Sequence, residues 1–266
     1  MTNNHTIELP NPIPKNLNLG CGWDKRPGFL NVDLHSIHSP DLVADVCDLS
    51  MLPTAYFNEI LAQDVLEHLE RAKTGIALKE WERLLSLNGK LLIRVPSLFG
   101  MFELLSRAEH RNAENAEKII HLIYGTQAYN GDYHLTGFTA ATLVEHLRLA
   151  GMQVSRCVMK DDWLFDVEVK KLVSMLSDVE FVHNAFFSIL GRPADTAEVG
   201  HFKSELERGT SRESISDLIQ GSAELIYFKY NPAYLRSNWQ FSRNVNITSV
   251  GRVIRKFIHQ FRLGIR

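Results

Sequence analysis

The sequence is poor in cysteine, and it has neither a long apolar run nor the features of a leader peptide. Its three cysteines, Cys21, Cys47 and Cys157, are far apart and form no C-x-x-C pair, which argues against a disulfide framework and a cysteine-based zinc site. No apolar run reaches the roughly 18 residues that span a bilayer. The first residues, MTNNHTIELPNPIPK, lack the basic start and apolar core of a signal peptide. We therefore expect a cytoplasmic protein.

The sequence also has little overall charge. Its 31 acidic and 29 basic residues give a formal charge of -2, and 45% of the residues are hydrophobic. This composition is typical of a globular protein and excludes neither an enzyme nor a binding module. At 266 residues the chain is long enough for two domains, each with its own core.

Basic residues are concentrated at the C-terminal end. Residues 243–266 contain six Lys or Arg and no acid. Apolar residues recur there at helical spacing, which predicts a basic amphipathic tail over residues 233–266. They are Val250, Val253, Ile254, Phe257, Ile258 and Phe261. Two interpretations stay open: the tail lies on an anionic inner-membrane surface, or it packs on the rest of the chain, a protein partner or an oligomer. Nucleic acid binding is disfavoured because the basic charge is confined to one end.

Up to about residue 170 short apolar runs alternate with helical patterns, which predicts an open α/β sheet. The predicted strands are NLNL, FLNVDL, LVADVC, EILAQD and KLLIRVP, with QVSRCVMK and WLFDVEVKK as a closing strand pair. A helix is predicted over VLEHLERAKTGIALKEWERLLSLNG, ending at Asn88-Gly89. From residue 174 to about 232 the pattern is helical only, beginning with a capping box at Ser177 and Glu180.

A glycine turn follows the first predicted strand. Gly20 and Gly22 permit positive φ angles and let a ligand approach the backbone, but the dinucleotide fingerprint has a third glycine where Lys25 stands. Asp33 comes only 11 residues after Gly22, which leaves little room for the helix that holds a pyrophosphate. This pattern favours a ligand with an unphosphorylated ribose, whose two hydroxyls donate hydrogen bonds to Asp33.

These residues belong to an ordered series of motifs: LNLGCG, PGFLNVDL, VADVCDLSMLP, EILAQDVLEHL, ALKEWERLLSLNGKLLIRVP and YNGDYHLTGFT. Over residues 1–170, with the motifs beginning near residue 15, the chain resembles the class I S-adenosylmethionine-dependent methyltransferases of polysaccharide biosynthesis clusters. The resemblance implies a Rossmann-like α/β sheet and S-adenosylmethionine as cofactor, with S-adenosylhomocysteine as product.

The resemblance also implies roles for individual residues in cofactor binding. Gly20 and Gly22 line the methionine part, with Cys21 between them as a small buried filler without chemistry. Asp33, followed by Leu34, holds the ribose. The remaining residues that the resemblance implies are Asp48 and Leu49, which flank the adenine, and Gln63 and Asp64, which close the pocket.

Two places offer a general base for a hydroxyl acceptor. QDVLEHL puts Asp64 and His68 at i and i+4 on one helix face, and GDYHLTGFT puts Asp132 and His134 in a loop. His134 is the preferred base because imidazole titrates near neutrality, although it could instead only fix the loop, and His68 could be structural. All four residues together are an alternative divalent-ion site. No metal is assigned.

The segment FVHNAFFSILGRPADTAEVGHFKSELERGTSRESISDLIQGSAEL resembles a small helical domain of unknown function, family 4214, over about residues 174–228. This resemblance implies a docking or glycan-associated role. Taken together, the sequence predicts an O-methyltransferase that acts on a sugar hydroxyl of a cell-surface polysaccharide, such as O-antigen, or of its lipid-linked precursor. The alternatives are a non-catalytic adaptor that recruits glycan-synthesis enzymes to the membrane and a methyltransferase of small metabolites.

Overall fold

The structure is a computed structural model that describes residues 9–128 and 131–222. The predicted tail at 233–266 lies outside the described residues. Contacts within the chain divide it into two units, residues 1–193 and 194–266, and each unit is described here by itself.

The first unit contains one sheet of seven strands in the order β3-β2-β1-β4-β5-β7-β6. The strands are β1 (Asn16–Leu19), β2 (Phe29–Asp33), β3 (Leu42–Val43), β4 (Phe57–Gln63), β5 (Leu85–Pro96), β6 (Met152–Lys160) and β7 (Leu164–Lys171). All neighbouring strands are parallel except β7, which is antiparallel to both β5 and β6. The predicted Rossmann-like sheet with its closing antiparallel pair is confirmed.

Helices flank this sheet and follow its last strand. They are α1 (Arg71–Leu84), α2 (Leu98–Ser106), α3 (Ala113–Tyr124), α4 (Ala140–Leu149), α5 (Asp178–Leu190), α6 (Thr196–Glu207) and α7 (Arg212–Gln220). Strands β1 and β2 are buried along nearly their whole length, as expected of parallel strands covered on both faces. On α1, Trp81 is fully buried, and its indole N–H donates to the carbonyl oxygen of Val46 at 3.0 Å.

The boundary between α1 and β5 differs from the prediction. The helix ends at Leu84, and Asn88-Gly89 lies inside β5 instead of closing the helix. The pairing of β4 with β5 shifts register at this point, between Phe57 and Glu59. A Cβ on Gly89 would lie 2.8 Å from the carbonyl oxygen of Phe57. The glycine therefore marks a bulge where two backbones approach closely.

The connection between β1 and β2 contains no helix. Residues 20–28, all of which the structure describes, form turns joined by irregular backbone. Two buried amides support this loop from below: the side-chain NH₂ of Asn18 donates to Asn31 Oδ1 at 3.0 Å, and the backbone N–H of Arg26 donates to the same oxygen at 2.8 Å. The NH₂ of Asn31 donates to Asp41 Oδ2 at 2.8 Å. A polar network thus lies beneath the turn after β1.

Helix α5 packs with the sheet and belongs to the first unit. The side-chain NH₂ of Asn184 donates to the carbonyl oxygen of Val154 in β6 at 2.8 Å, and Phe187 packs edge-on against Phe165 with ring centroids 5.2 Å apart. Its capping box at Ser177 and Glu180 is present as predicted. Contacts therefore place a division after residue 193, whereas the sequence predicts a helical domain from residue 174.

The described part of the second unit contains α6 and α7. Helix α6 begins at a capping box formed by Asp195 and Glu198, and the apolar side chains of Phe202, Ile215 and Ile219 are buried. Among the described residues of the whole chain, no helix combines the length and the apolar character needed to cross a bilayer.

Candidate functional site

The predicted glycine turn lies at the carboxyl end of β1. Gly20 and Gly22 have φ angles of +58° and +49°, which favour glycine. A Cβ on Gly20 would lie 2.7 Å from Val65 Cγ2, whereas nothing lies within 4 Å of a Cβ position on Gly22. Gly20 thus permits close packing inside the protein, and Gly22 presents bare backbone to open space.

Cys21 lies between the two glycines and is buried. Its backbone N–H donates to the carbonyl oxygen of Val32 at 3.0 Å, which ties the turn to β2. Burial, followed by the negative charges of Asp33 and Asp41, raises the pKa of the Cys21 thiol to about 11. The thiol is therefore protonated at neutral pH and offers no nucleophile.

Asp33 fixes the turn to the end of β2. Its Oδ2 accepts from the backbone N–H of Gly22 at 2.8 Å. Its Oδ1 accepts from the backbone N–H of His35 at 2.8 Å and lies 3.0 Å from His38 Nδ1. Burial raises the pKa of Asp33, but the hydrogen bonds from His35, His38 and Gly22 together outweigh it and hold that pKa below its usual value. The carboxylate is thus charged and preorganised at the edge of the sheet.

We expect Asp33 to stabilise the fold in a pH-dependent way. A carboxyl whose folded-state pKa is depressed contributes stability above its unfolded pKa of about 3.9 and loses that contribution as pH falls through the folded pKa. Asp33→Asn should therefore lower the free energy of unfolding by about 1–3 kcal/mol near pH 7, with the gap closing below about pH 4. Denaturant unfolding across this pH range measures it.

Asp24→Asn is the matched control for that measurement. Asp24 is an exposed acid of the same loop that pairs with Arg26 at 2.8 Å, and surface ion pairs contribute about 0–1 kcal/mol. A constant stability gap between the native protein and Asp33→Asn from pH 7 to pH 3 would contradict the assignment.

The residues predicted to flank an adenine have different environments. Leu34 is 58% exposed directly after β2. Asp48 is exposed, and its Oδ1 accepts from the backbone N–H of Ser50 at 3.2 Å. Leu49 lies in the hydrophobic core with no exposed surface, and its backbone N–H donates to Glu80 Oε1 at 2.9 Å. The side chain of Leu49 is therefore enclosed in the core and is not available to flank an adenine, in contrast to its predicted role.

Gln63 is the last residue of β4 and Asp64 follows it, next to the glycine turn. Gln63 Oε1 accepts from Arg26 Nη2 at 2.8 Å, which joins the turn after β1 to the end of β4. Asp64 has a φ of +56°, and its carboxylate accepts from Arg94 Nε at 2.9 and 3.0 Å and from Arg94 Nη2. Because both carboxylate oxygens face the guanidinium, Asp64 is an ion-paired residue and not a free base.

His68 and His134, the two predicted candidates for a general base, lie side by side. Their rings are 4.9 Å apart and nearly perpendicular. His68 Nδ1 lies 3.1 Å from the carbonyl oxygen of Tyr133. The backbone N–H groups of Leu135 and Thr136 donate to the carbonyl oxygen of Glu67 at 2.7 and 3.1 Å. The loop that carries His134 is thus held on the short turn Leu66–His68 by backbone hydrogen bonds.

Glu67 is a third member of this cluster that the sequence analysis missed. One donor atom from each of Glu67, His68 and His134 can be chosen such that all three lie within 4.8 Å of one another. The Glu67 side chain is buried, and burial raises its pKa to about 8. Burial also lowers the pKa of His134, as does the neighbouring His68. The sequence does place Glu67 directly before His68, which was selected as a candidate base. Because glutamate is rarely buried, however, the sequence alone favours an exposed position for Glu67.

Asp132 lies in the same loop but serves a local purpose. Its carboxylate accepts from the Thr126 hydroxyl, and its backbone carbonyl accepts from the N–H of Gln127 at 3.0 Å. Gly131, directly before Asp132, lies against His35: a Cβ on this glycine would be 2.9 Å from His35 Nε2. The loop therefore extends along the carboxyl edge of the sheet from His68 to the residues that follow Asp33.

The structure corrects the alternative four-residue metal site. Of the four, His68 and His134 have their rings in contact, and the group of potential metal ligands found among the described residues includes neither Asp64 nor Asp132. Asp64 is paired with Arg94, and Asp132 closes its own loop through Thr126. The spacing of the acids and histidines in the sequence does not reveal these partners, because Arg94 lies on another strand and the bond to Thr126 depends on how the loop folds.

Comparison with known proteins gives one family model and a set of similar structures. Residues 164–227 match the model described as Domain of unknown function (DUF4214), which begins at β7 and so overlaps the sheet. None of the curated proteins compared with the chain matches it significantly.

Three solved structures illustrate the structural likeness. A S-adenosylmethionine-dependent methyltransferase from Methanosarcina mazei is 16% identical, with 60% of this chain and 92% of that chain covered and a TM-score of 0.43. The 1,6-didemethyltoxoflavin-N1-methyltransferase of Burkholderia thailandensis, with S-adenosylhomocysteine bound, is 16% identical over 59% and 70%, at 0.40. A TehB-like methyltransferase of Corynebacterium glutamicum is 15% identical over 60% and 82%, at 0.38. The fold assignment rests on the strand order of the sheet and not on these values.

Proposed function

We propose that the protein is a S-adenosylmethionine-dependent O-methyltransferase. The observation that carries the proposal is the link between the Gly22 backbone and the Asp33 carboxylate at the carboxyl edge of the sheet. The strand order reverses between β1 and β4, and in open α/β sheets ligands bind outside the carboxyl ends of strands at such a switch point. An open glycine backbone and a buried, charged carboxylate are arranged there side by side.

The absence of a helix in residues 20–28 argues against a dinucleotide. A pyrophosphate is normally held by the N–H groups at the start of the helix after β1, and this loop has turns in that position. A nucleoside joined to an amino acid through a sulfonium has no phosphate to hold. It needs a carboxylate for the ribose and space beside the backbone for the methionine part.

We assign the cofactor-binding roles as follows. Gly20 and Gly22 line the methionine part. Asp33 has three internal partners, and since a carboxylate accepts about four hydrogen bonds, its remaining lone pair accepts from the ribose. Leu34 and Asp48 offer exposed side chains on the adenine side. Leu49 contributes backbone only, and Gln63 with Asp64 forms the rim at the end of β4.

Methyl transfer from a sulfonium needs an aligned and deprotonated acceptor. The O–CH₃ bond forms as the S–CH₃ bond breaks, the sulfonium becomes the neutral thioether of S-adenosylhomocysteine, and the hydroxyl proton must leave. Alignment supplies a large part of the acceleration, and a general base adds about 10²–10⁴-fold. His134, delivered by its loop to His68 at the carboxyl edge of the sheet, is the residue on which removal of this proton depends.

The proposed acceptor is a sugar hydroxyl of a surface polysaccharide or of its lipid-linked precursor. Support comes from the motif series of residues 1–170 and from the helical domain that follows it, matched at 164–227. A docking role for that domain, and contact of the tail with an anionic inner-membrane surface or a protein partner, are parts of the same proposal. A small-metabolite acceptor and a non-catalytic adaptor are the alternatives that the experiment must separate.

Calorimetry with the purified full chain tests the cofactor first. We expect one S-adenosylmethionine per chain with a dissociation constant in the micromolar range, similar to common values of KM. Transfer of labelled methyl to a panel of glycan fragments and small hydroxylated metabolites then identifies the acceptor class, with the methylated position read by NMR. Absence of cofactor binding, or binding of a nicotinamide dinucleotide instead, would falsify the proposal. Cofactor binding without transfer to any acceptor would favour the adaptor.

A further inference from the structure

Three potential metal ligands converge where the His134 loop lies on the turn Leu66–His68. One donor atom from each of Glu67, His68 and His134 can be chosen such that all three lie within 4.8 Å of one another. We propose that these three residues bind one divalent transition-metal cation, with Zn²⁺ as the best match. Neither the fold nor the motif series assigns this set of ligands.

The Glu67 carboxylate is the first argument. The residue is 2% exposed, and among the described residues, 9–128 and 131–222, its buried Oε2 has no hydrogen-bond partner. The guanidinium of Arg94, whose charge acts on Glu67, is itself hydrogen-bonded to Asp64. A buried carboxylate oxygen without a partner is costly in a protein interior. A bound cation would supply the missing partner.

The His68 imidazole is oriented for coordination, and the His134 imidazole lies beside it. His68 Nδ1 lies 3.1 Å from the carbonyl oxygen of Tyr133. When Nδ1 carries the proton and donates it to that carbonyl, the lone pair of Nε2 is left to a metal. Metal-binding histidines almost always use their second nitrogen in this way, which fixes the tautomer and the orientation of the ring. The His134 ring lies nearly perpendicular to the His68 ring, with the ring centroids 4.9 Å apart.

The ligand set selects the class of cation. Two imidazoles and one carboxylate suit Zn²⁺ and neighbouring first-row cations, whereas Mg²⁺ and Ca²⁺ prefer sites built from oxygen alone. Tetrahedral coordination at about 2.1 Å separates ligand atoms by about 3.4 Å, so the side chains close by at most about 1.4 Å on binding. Three protein ligands leave the fourth position to water or to an acceptor.

The binding claim stands on the geometry alone, and only its catalytic consequence rests on the proposed function. A hydroxyl held by a divalent cation loses its proton more readily. In the metal-bound form His134 is a ligand, and the proton of the acceptor leaves to solvent with the cation holding the alkoxide. Methyl transfer depends on His134 both in the metal-free form, where it is the base, and in the metal-bound form, where it is a ligand. Only in the metal-bound form does it also depend on Glu67 and a metal.

Competition between the full, tag-free chain and a chromophoric chelator for Zn²⁺ tests the site after the protein has been stripped of metal. We expect one tightly bound Zn²⁺ per chain, and at least about 100-fold weaker binding in Glu67→Gln and in His134→Ala, because each removes a direct ligand. Glu117→Gln and His121→Ala form the matched control. They alter an exposed Glu–His pair at i and i+4, with His121 Nε2 3.4 Å from Glu117 Oε1, and should bind Zn²⁺ like the native chain.

Co²⁺ keeps the test decisive if a variant fails to fold. The native chain loaded with Co²⁺ should show the visible absorption of a low-coordinate site and shifted proton resonances from two histidines. Absence of stoichiometric Zn²⁺ binding, or binding that the Glu67 and His134 variants leave intact, overturns the proposal and leaves Glu67 as a protonated buried carboxyl. Calorimetry with S-adenosylmethionine is a separate readout, so the failure of the metal site and the failure of the methyltransferase assignment are distinguishable.

Discussion

Replacing His134 by Ala is expected to lower kcat for methyl transfer by about 10²–10⁴-fold, the contribution of a positioned group that removes the acceptor proton. The affinity for S-adenosylmethionine should not change, because His134 lies beside His68 and makes no contact that holds Asp33. Initial rates at saturating cofactor, together with calorimetric cofactor binding, measure both quantities on the same preparation.

His121→Ala is the control for the His134 variant. His121 lies in α3, shortly before the same loop, and its ring is half exposed. It should retain the native kcat. Native turnover in His134→Ala contradicts a role in deprotonation, whether the imidazole acts as a free base or as a metal ligand. Loss of turnover accompanied by loss of cofactor binding would instead indicate a collapsed loop, which thermal unfolding of the variant detects.

Asp33→Ala is expected to weaken S-adenosylmethionine binding by about 100-fold. Hydrogen bonds to a charged group contribute about 1.5–3 kcal/mol, so loss of the ribose contacts alone accounts for about 10–150-fold. The variant also releases the Gly22 N–H, which Asp33 Oδ2 holds at 2.8 Å, and so loosens the turn on the methionine side. Calorimetric titration of the native and variant proteins gives the ratio.

Asp24→Asn again provides the comparison for cofactor binding. Asp24 belongs to the same loop, is largely exposed, and its backbone carbonyl, which accepts from Asn18 at 2.8 Å, is retained in the variant. It should bind the cofactor like the native chain. Equal cofactor affinity in Asp33→Ala and the native protein would remove Asp33 from the site, while the stability of the variant reports on its structural role separately.

The sheet was largely predictable because its strands are short, apolar and bounded by turn residues. The prediction went wrong at Asn88-Gly89, where the same dipeptide that ends helices also permits the close backbone contact of a bulge with Phe57. An Asn-Gly dipeptide can therefore either end a helix or form a bulge within a strand. Pairing with β4, a contact distant in sequence, decides between them.

The candidate site divides in the same way. Gly20, Gly22 and Asp33 were identified from a local pattern, strand then turn then strand, and they lie together at one edge of the sheet. The partner of Asp64 is Arg94 on the next strand of the sheet, and no local pattern reports it. Glu67 was not predicted as a site residue because its role depends on burial. The sequence does not reveal burial for a residue type that is usually exposed.

The loop that connects β1 and β2 is held by hydrogen bonds from buried amides and carboxylates, with Asn18 and Asn31 each 5% exposed. Loops are more commonly held at such a place by packed apolar side chains. Apolar burial loses strength on cooling, and exposure of polar surface lowers the heat capacity of the unfolded chain, whereas apolar exposure raises it. The loop after β1 therefore depends little on apolar burial, which weakens on cooling. Its shape should persist at low temperature even where the apolar core of the sheet becomes weaker.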